Sequence, residues 1–162
     1  MKNAFDQLDI RILDFLQTNA KMTNQDLADN VGLSPSSCLQ RVRRLEEKGL
    51  IDRYLTVVQL PKLCRTITCI ATITMKQHSR TDFDRFEAIV QQIPEVIECY
   101  TVSGSFDFIL KIVCADMTRY LELNNELVNG KVEIENISTH VVMNENKPFR
   151  GYPLSSLVDH SD

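Results

Sequence analysis

The sequence is poor in the features that mark membrane proteins, disulfide scaffolds and most enzymes. No segment approaches the ~18 consecutive apolar residues of a membrane span, so no membrane partner is expected. The opening residues MKNAFDQ lack the apolar core of a signal peptide, and a cytoplasmic protein is expected. The five cysteines (38, 64, 69, 99 and 114) make an odd set without a CxxC pair, which speaks against both a disulfide framework and a zinc site. Several lie inside apolar runs, where cysteine packs as a small hydrophobe. His78, His140 and His160 are scattered, with no metal-ligand spacing. There is no G-x-S-x-G, Walker loop or G-x-G-x-x-G, and nothing beyond their presence pairs Glu98 with Asp107 as acid and base. No enzyme, no catalytic residue, no metal and no cofactor is expected.

What is present is ordinary in amount and uneven in placement. Hydrophobic content of 43% and charged content of 25% are globular values, enough for one domain or two small ones. The net charge of −4 speaks against a nonspecific nucleic-acid coat. Residues 1–54 nevertheless hold eight basic and eight acidic residues and are neutral. The remaining ten basic and fourteen acidic residues put the whole deficit in 55–162. Two different jobs are implied.

Residues 1–54 read as three helices. LDIRILDFLQ puts Leu8, Ile12, Leu13 and Leu16 on one stripe. Thr23 opens a second, short helix as N-cap with Asp26 three residues on, a weak capping box. That helix stops near Asn30 with Gly32 in the turn. Ser34 then caps and Pro35 starts a third helix running to about residue 48, closed by Gly49. A short helix, a glycine turn and a basic helix form the helix-turn-helix pattern. Ala28 is small where the two helices cross, and Leu27, Val31, Leu33, Cys38, Val42 and Leu45 supply the shared core. Ser36, Ser37, Gln40, Arg41, Arg43 and Arg44 are left to face outward, with no acid in the third helix before Glu46. Ile51–Val58 is extended, and a linker over 55–64 follows.

A helix of this kind suits the major groove, because arginine can fork onto guanine and glutamine onto adenine. Serines at a helix start can bond phosphates, helped by free N–H groups. The arginines span nearly a full turn, so one or two would meet bases and the others phosphates. Double-stranded DNA is the expected partner.

From Arg65 the period changes to two. TITCIATITM sets Ile67, Cys69, Ala71, Ile73 and Met75 on one face and four threonines on the other. A helix over 81–93 follows, with Phe83, Phe86, Ile89, Val90 and Ile93 on one face. VIECYTV and FILKIVC are strands joined through SGSFD. Asp116 starts a helix whose buried side is expected to hold Met117, Tyr120, Leu121, Leu127 and Val128, and VEIENISTHVVM supplies the last strand. The βαββαβ order is ferredoxin-like. In SGSFDF, Gly104 can expose N–H groups to a carboxylate and Asp107 can pair an ammonium, the two needs of a free amino acid. The alternatives, a glycine required by the turn and an aspartate that caps the hairpin, stay open on these residues alone.

Four segments, LDIRILDFLQ, LADNVGLSPSSCLQRVRRLEEKGLI, VSGSFDFILKI and THVVMNENK, resemble in order and over nearly the whole chain the Lrp/AsnC (feast/famine) transcription regulators. The resemblance implies an α+β chain: a winged-type helix-turn-helix domain (1–54), the linker, a ferredoxin-like amino-acid-binding and oligomerisation domain (65–147), and a C-terminal tail (148–162). It further implies a homodimer assembling to an octamer, with a free amino acid as effector bound between C-terminal domains. Ser34 to Arg44 match the family's recognition helix, and Gly104 and Asp107 its Gly-x-x-Asp hairpin. Thr139, His140, Val141 and Val142 match the last-strand segment that shapes the effector response. The chain departs from the family at Cys64, near a position usually held by glycine, and at His140.

Overall fold

The computed structural model describes residues 5–129 and 132–158, so His160 lies outside the described residues. The chain forms two compact units, one comprising residues up to Val57 and from Lys147 onward, the other Val58–Asn146.

The first unit contains α1 (Gln7–Thr18), α2 (Asn24–Val31) and α3 (Pro35–Glu47). Asp6 caps α1 in a full capping box: its carboxylate accepts from Asp9 N–H at 3.0 Å, and its own N–H donates to Asp9 Oδ2 at 3.0 Å. The box expected at Thr23 closes only halfway. Thr23 Oγ1 accepts from Asp26 N–H, but Asp26 takes the Thr23 hydroxyl at 2.6 Å rather than its N–H. Gly32 ends α2 at φ +76, a left-handed conformation glycine adopts without steric cost, and Leu33 N–H returns to Ala28 O at 2.9 Å. Asn24 Nδ2 donates to Pro35 O at 2.8 Å and fixes the turn from the other side. Ile12, Leu27, Ala28, Val31, Cys38 and Leu45 are buried together, with Leu13, Leu16, Leu33 and Val42 packed against them. That is the core expected for the trio.

Residues 52–58 run on from α3 without joining a strand. Tyr54 folds back, donating its hydroxyl to Glu46 Oε1 at 2.8 Å; burial first, and Glu46 second, push its phenol up to about 12. The end of the chain closes on α1. Gln17 accepts from Tyr152 N–H and donates to Tyr152 O, both at 2.8 Å, ahead of α7 (Leu154–Leu157). Gly151 stands there at φ +120, a conformation that L side chains rarely adopt, and a Cβ would also push the Gln17 side chain aside.

The second unit begins with a short helix, α4 (Leu60–Leu63). It continues β1 (Ile67–Met75), α5 (Arg80–Val90), β2 (Val96–Thr101), β3 (Phe108–Cys114), α6 (Met117–Val128) and β4 (Ile134–Val141). The sheet order β2-β3-β1-β4 is antiparallel throughout, the ferredoxin-like arrangement expected. Alternation in β1 holds from Cys69 on: Cys69, Ala71, Ile73 and Met75 are buried and Ile70, Thr72 and Thr74 between them half-buried, while Ile67, expected on the buried face, is half-buried too. Phe108, Leu110, Ile112 and Cys114 of β3 join the same face, under Phe86 and Val90 of α5 and Tyr120, Leu123 and Leu127 of α6. Phe108 is the centre, with ring centroids 4.5 Å from Phe86 and 4.9 Å from Phe83.

One helix face differs from expectation. Met117, Leu121 and Val128 are exposed, and Leu123 is buried in their place. Two adjacent apolar stripes run along α6, about 100° of rotation apart. The one carrying Tyr120, Leu123 and Leu127 turns inward, and the Tyr120 hydroxyl is satisfied there by the Thr139 hydroxyl of β4 at 2.5 Å. Cys38, Cys69 and Cys114 are buried, and burial pushes their thiols up, keeping them protonated and inert; Cys64 and Cys99 are exposed.

Several carboxylates bind protons less readily when folded. Burial raises Asp6, but bonds from Arg41 and Asp9 N–H hold it below its ordinary 3.8. The Arg119 guanidinium holds Glu95, and the Tyr100 hydroxyl with Lys111 holds Glu98, below 4.5. The unfolded chain therefore binds more protons in this range, and the stabilisation present above it is lost as pH falls. The melting temperature is expected to drop as pH is lowered from about 5 towards 3. The drop should be shallower in Asp6→Asn, checked by calorimetry.

Candidate functional site

The outer face of α3 is fixed by what its inner face buries. Cys38, Val42 and Leu45 point to the core, so the opposite pole carries Ser36, Gln40 and Arg43, one residue per turn and all exposed. Ser34 is the N-cap: its Oγ accepts from Ser37 N–H at 3.3 Å, donates to Ser37 Oγ at 2.9 Å and lies 3.2 Å from Ser36 Oγ. The three hydroxyls thus cluster at the positive end of the helix dipole.

The arginines divide in a way their spacing did not reveal. Arg41 was expected to face outward, but its Nη1 lies 2.8 Å from Asp9 Oδ1 and 2.8 Å from Asp6 Oδ2, and its side chain is 25% exposed. Arg44 Nη2 lies 2.5 Å from Asp9 Oδ2. Both leave α3 on the flank that meets α1, where a buried carboxylate must find cations. Arg43 alone of the three has no ion-pair or hydrogen-bond partner among the described residues. Asp9 is the residue that sequence reasoning missed. Its signal was an aspartate inside the apolar pattern of LDIRIL, three residues after another aspartate.

In the second unit, Gly104 sits exposed at φ +133 in the connection Val102–Asp107, a conformation that requires glycine. The N–H groups of Ser103, Gly104 and Ser105 make no hydrogen bond among the described residues. Asp107 is tied into the sheet: its N–H donates to Ile73 O at 2.8 Å, and its Oδ2 accepts from Met75 N–H at 2.8 Å. Its other oxygen lies 3.4 Å from His78 Nε2. The carboxylate therefore already serves the structure, by accepting from β1 rather than by capping its own hairpin, with Oδ1 beside His78.

The last-strand residues are not brought to this hairpin. Thr139 and Val141 stand opposite Ala71 and Cys69 on the helix-covered face, while His140 stands opposite Ile70 on the other. Val142 N–H donates to Thr68 O at 2.8 Å. Thr139 is four strand residues along β1 from the level of Met75, roughly 13 Å at ~3.3 Å per residue. Within one chain, Gly104 with Asp107 and Thr139 to Val142 form two separate groups. Among the described residues, no group of side chains could hold a metal ion and no helix is long and apolar enough to cross a membrane.

Comparison with known proteins places both units. Residues 5–52 match a winged helix-turn-helix DNA-binding family, and residues 68–152 match the Lrp/AsnC ligand binding domain. The leucine-responsive regulatory protein of Haemophilus influenzae is 40% identical over 144 residues, covering 89% of this chain and 87% of that protein. Its Escherichia coli K12 counterpart is 37% identical, covering 88% and 87%. An AsnC family transcriptional regulator from Agrobacterium tumefaciens superposes with a TM-score of 0.88 at 32% identity, over 95% of this chain and 100% of that one. A transcriptional regulator from Neisseria meningitidis, solved in complex with L-methionine, gives 0.87 at 27% identity, over 95% and 99%. A DNA-binding helix-turn-helix, a ligand-binding ferredoxin-like unit and this similarity along nearly the whole length make the chain a member of the Lrp/AsnC family of transcriptional regulators.

Proposed function

We propose that the chain is a homo-oligomeric regulator that reads a near-palindromic DNA site through α3 and responds to a free α-amino acid held at the Val102–Asp107 hairpin. The observation that carries this reading is the outward pole of α3. Arg43 supplies forked donors and Gln40 an amide that donates and accepts at base edges, and Ser34, Ser36 and Ser37 crowd the helix start where phosphate is favoured. Two such helices related by a dimer axis would enter successive major grooves.

The N–H groups at Ser103–Ser105, unpaired among the described residues, suit a carboxylate, and Asp107 Oδ1 suits an ammonium. The methionine complex of the Neisseria relative supports an amino acid as the ligand class. The distance from the hairpin to Thr139, His140, Val141 and Val142 fits a site completed by a second copy, in keeping with a homodimer that assembles further, up to an octamer. The sheet face opposite α5 and α6 offers a contact surface for such assembly, with Ile70, Thr72, Ile109 and Val113 half-buried on it. Work in the cytoplasm and an absence of catalysis belong to the same reading.

Thermal unfolding against each of the twenty amino acids tests it. At 100 times its dissociation constant a ligand is expected to stabilise the protein by about 2.7 kcal/mol. No shift with any of them would favour a second reading, an effector-independent architectural DNA-binding protein. The bond that Asp107 Oδ2 accepts from Met75 N–H gives this residue a structural role that such a reading would also need.

A further inference from the structure

Asp9 is the one buried charged or polar residue among the described residues, and its side chain is 0% exposed. A carboxylate so placed is costly and persists only when fully paired. Here Oδ1 receives Arg41, and Oδ2 receives Arg44 and the N–H of Asp6. Asp6 adds bonds to Arg41 Nη1 of 2.9 and 2.8 Å from its two oxygens. Two carboxylates thus neutralise two of the three arginines on the DNA-facing helix, and among the described residues only Arg43 is left uncompensated. Ile10 and Ile12 beside Asp9 show that α1 can bury aliphatic side chains here. Stability alone does not call for an acid at this point, because well-packed apolar residues often do as well as a buried ion pair.

We propose that Asp9 is a positioning residue for DNA recognition: it holds Arg41 and Arg44 against α1, withholds both from the phosphate backbone, and leaves sequence readout to Arg43. This rests on α3 being the recognition helix. Phosphate attraction is independent of sequence, so every guanidinium free to reach a phosphate raises affinity for all DNA alike. By restraining two of three, Asp9 trades affinity for selectivity. Arg44, with 44% of its side chain exposed, is the arginine most open to recapture by phosphate.

Asp9→Asn tests this on the full chain. Its binding is measured between 50 and 200 mM salt to a scrambled 30-base-pair duplex and to a duplex selected from random sequence with the unmodified protein. The variant is expected to bind the scrambled duplex more tightly. Its plot of log affinity against log salt should steepen by about 0.9 for each arginine released, and the selected-to-scrambled preference should fall. A merely structural role gives weaker binding to both duplexes with an unchanged slope, which would overturn the proposal. Asp9→Leu serves if Asp9→Asn fails to fold, since an apolar side chain can replace a buried ionic one. It frees Arg44 and leaves Arg41 only Asp6, so the slope is expected to steepen in the same sense; an unchanged slope there overturns the proposal equally. If the unmodified protein binds neither duplex, the recognition-helix reading itself falls, and this inference with it.

Discussion

Asp107→Ala is expected to abolish the stabilisation by the amino acid that the thermal screen identifies, a loss of about 2.7 kcal/mol at 100 times the dissociation constant. It should also lower the stability of the ligand-free protein by about 1–3 kcal/mol, because Met75 N–H loses the carboxylate oxygen that accepts it at 2.8 Å. The two effects separate by comparison with Asp107→Asn. The amide oxygen can still accept from Met75, so ligand-free stability should largely recover. The missing negative charge no longer answers an ammonium, so the ligand shift should stay small. Unfolding curves of both variants, with and without the amino acid, decide it. A ligand shift of normal size in Asp107→Ala would remove this residue from the site and leave its role purely structural.

Arg43→Ala is expected to lower affinity for the selected duplex by about 1–3 kcal/mol, roughly 5- to 150-fold, and to relax preference at one base position. Arg43 shares the exposed pole of α3 with Gln40 and carries no internal partner among the described residues. Its removal therefore leaves no buried carboxylate orphaned, and the melting temperature should hardly move. Arg41→Ala is expected to behave differently. It strips Asp9 Oδ1 of its cation and should cost stability while affecting base preference less. Titrations of both variants against a set of single-base substitutions in the duplex would show the contrast. Equal loss of base preference in the two would mean that Arg41 leaves its carboxylates when DNA arrives.

The sequence by itself determined the principal elements and their order, but not the short helices α4 and α7, which fall in the expected linker and tail. Strict alternation in TITCIATITM leaves only one way to bury a β1 face, and Cys69, Ala71, Ile73 and Met75 follow it. Ser34-Pro35 and Gly32 set the ends of α3 and α2 because capping and left-handed backbone are local chemistry. The βαββαβ order and the helix-turn-helix follow from those local signals, and so does the candidacy of the α3 pole and the Gly104 hairpin.

Where two stripes or two partners compete, local signals are silent. Leu121 and Leu123 are equally apolar, and only the packing of α6 on the sheet, with Tyr120 meeting Thr139, put Leu123 inside. Three arginines within four positions look alike on a helical projection. Tertiary packing set α1 beside one flank of α3, buried Asp9 there, and thereby paired Arg41 and Arg44 with it, while Arg43 has no such partner among the described residues. Likewise, Thr139 to Val142 lie near Asp107 in no sense that sequence could show or refute. The register of β4 on β1 separates them by strand length, because antiparallel pairing fixes distance along the sheet. Charge pairs and register are decided between elements far apart in the chain, and those contacts exist only once the chain has folded.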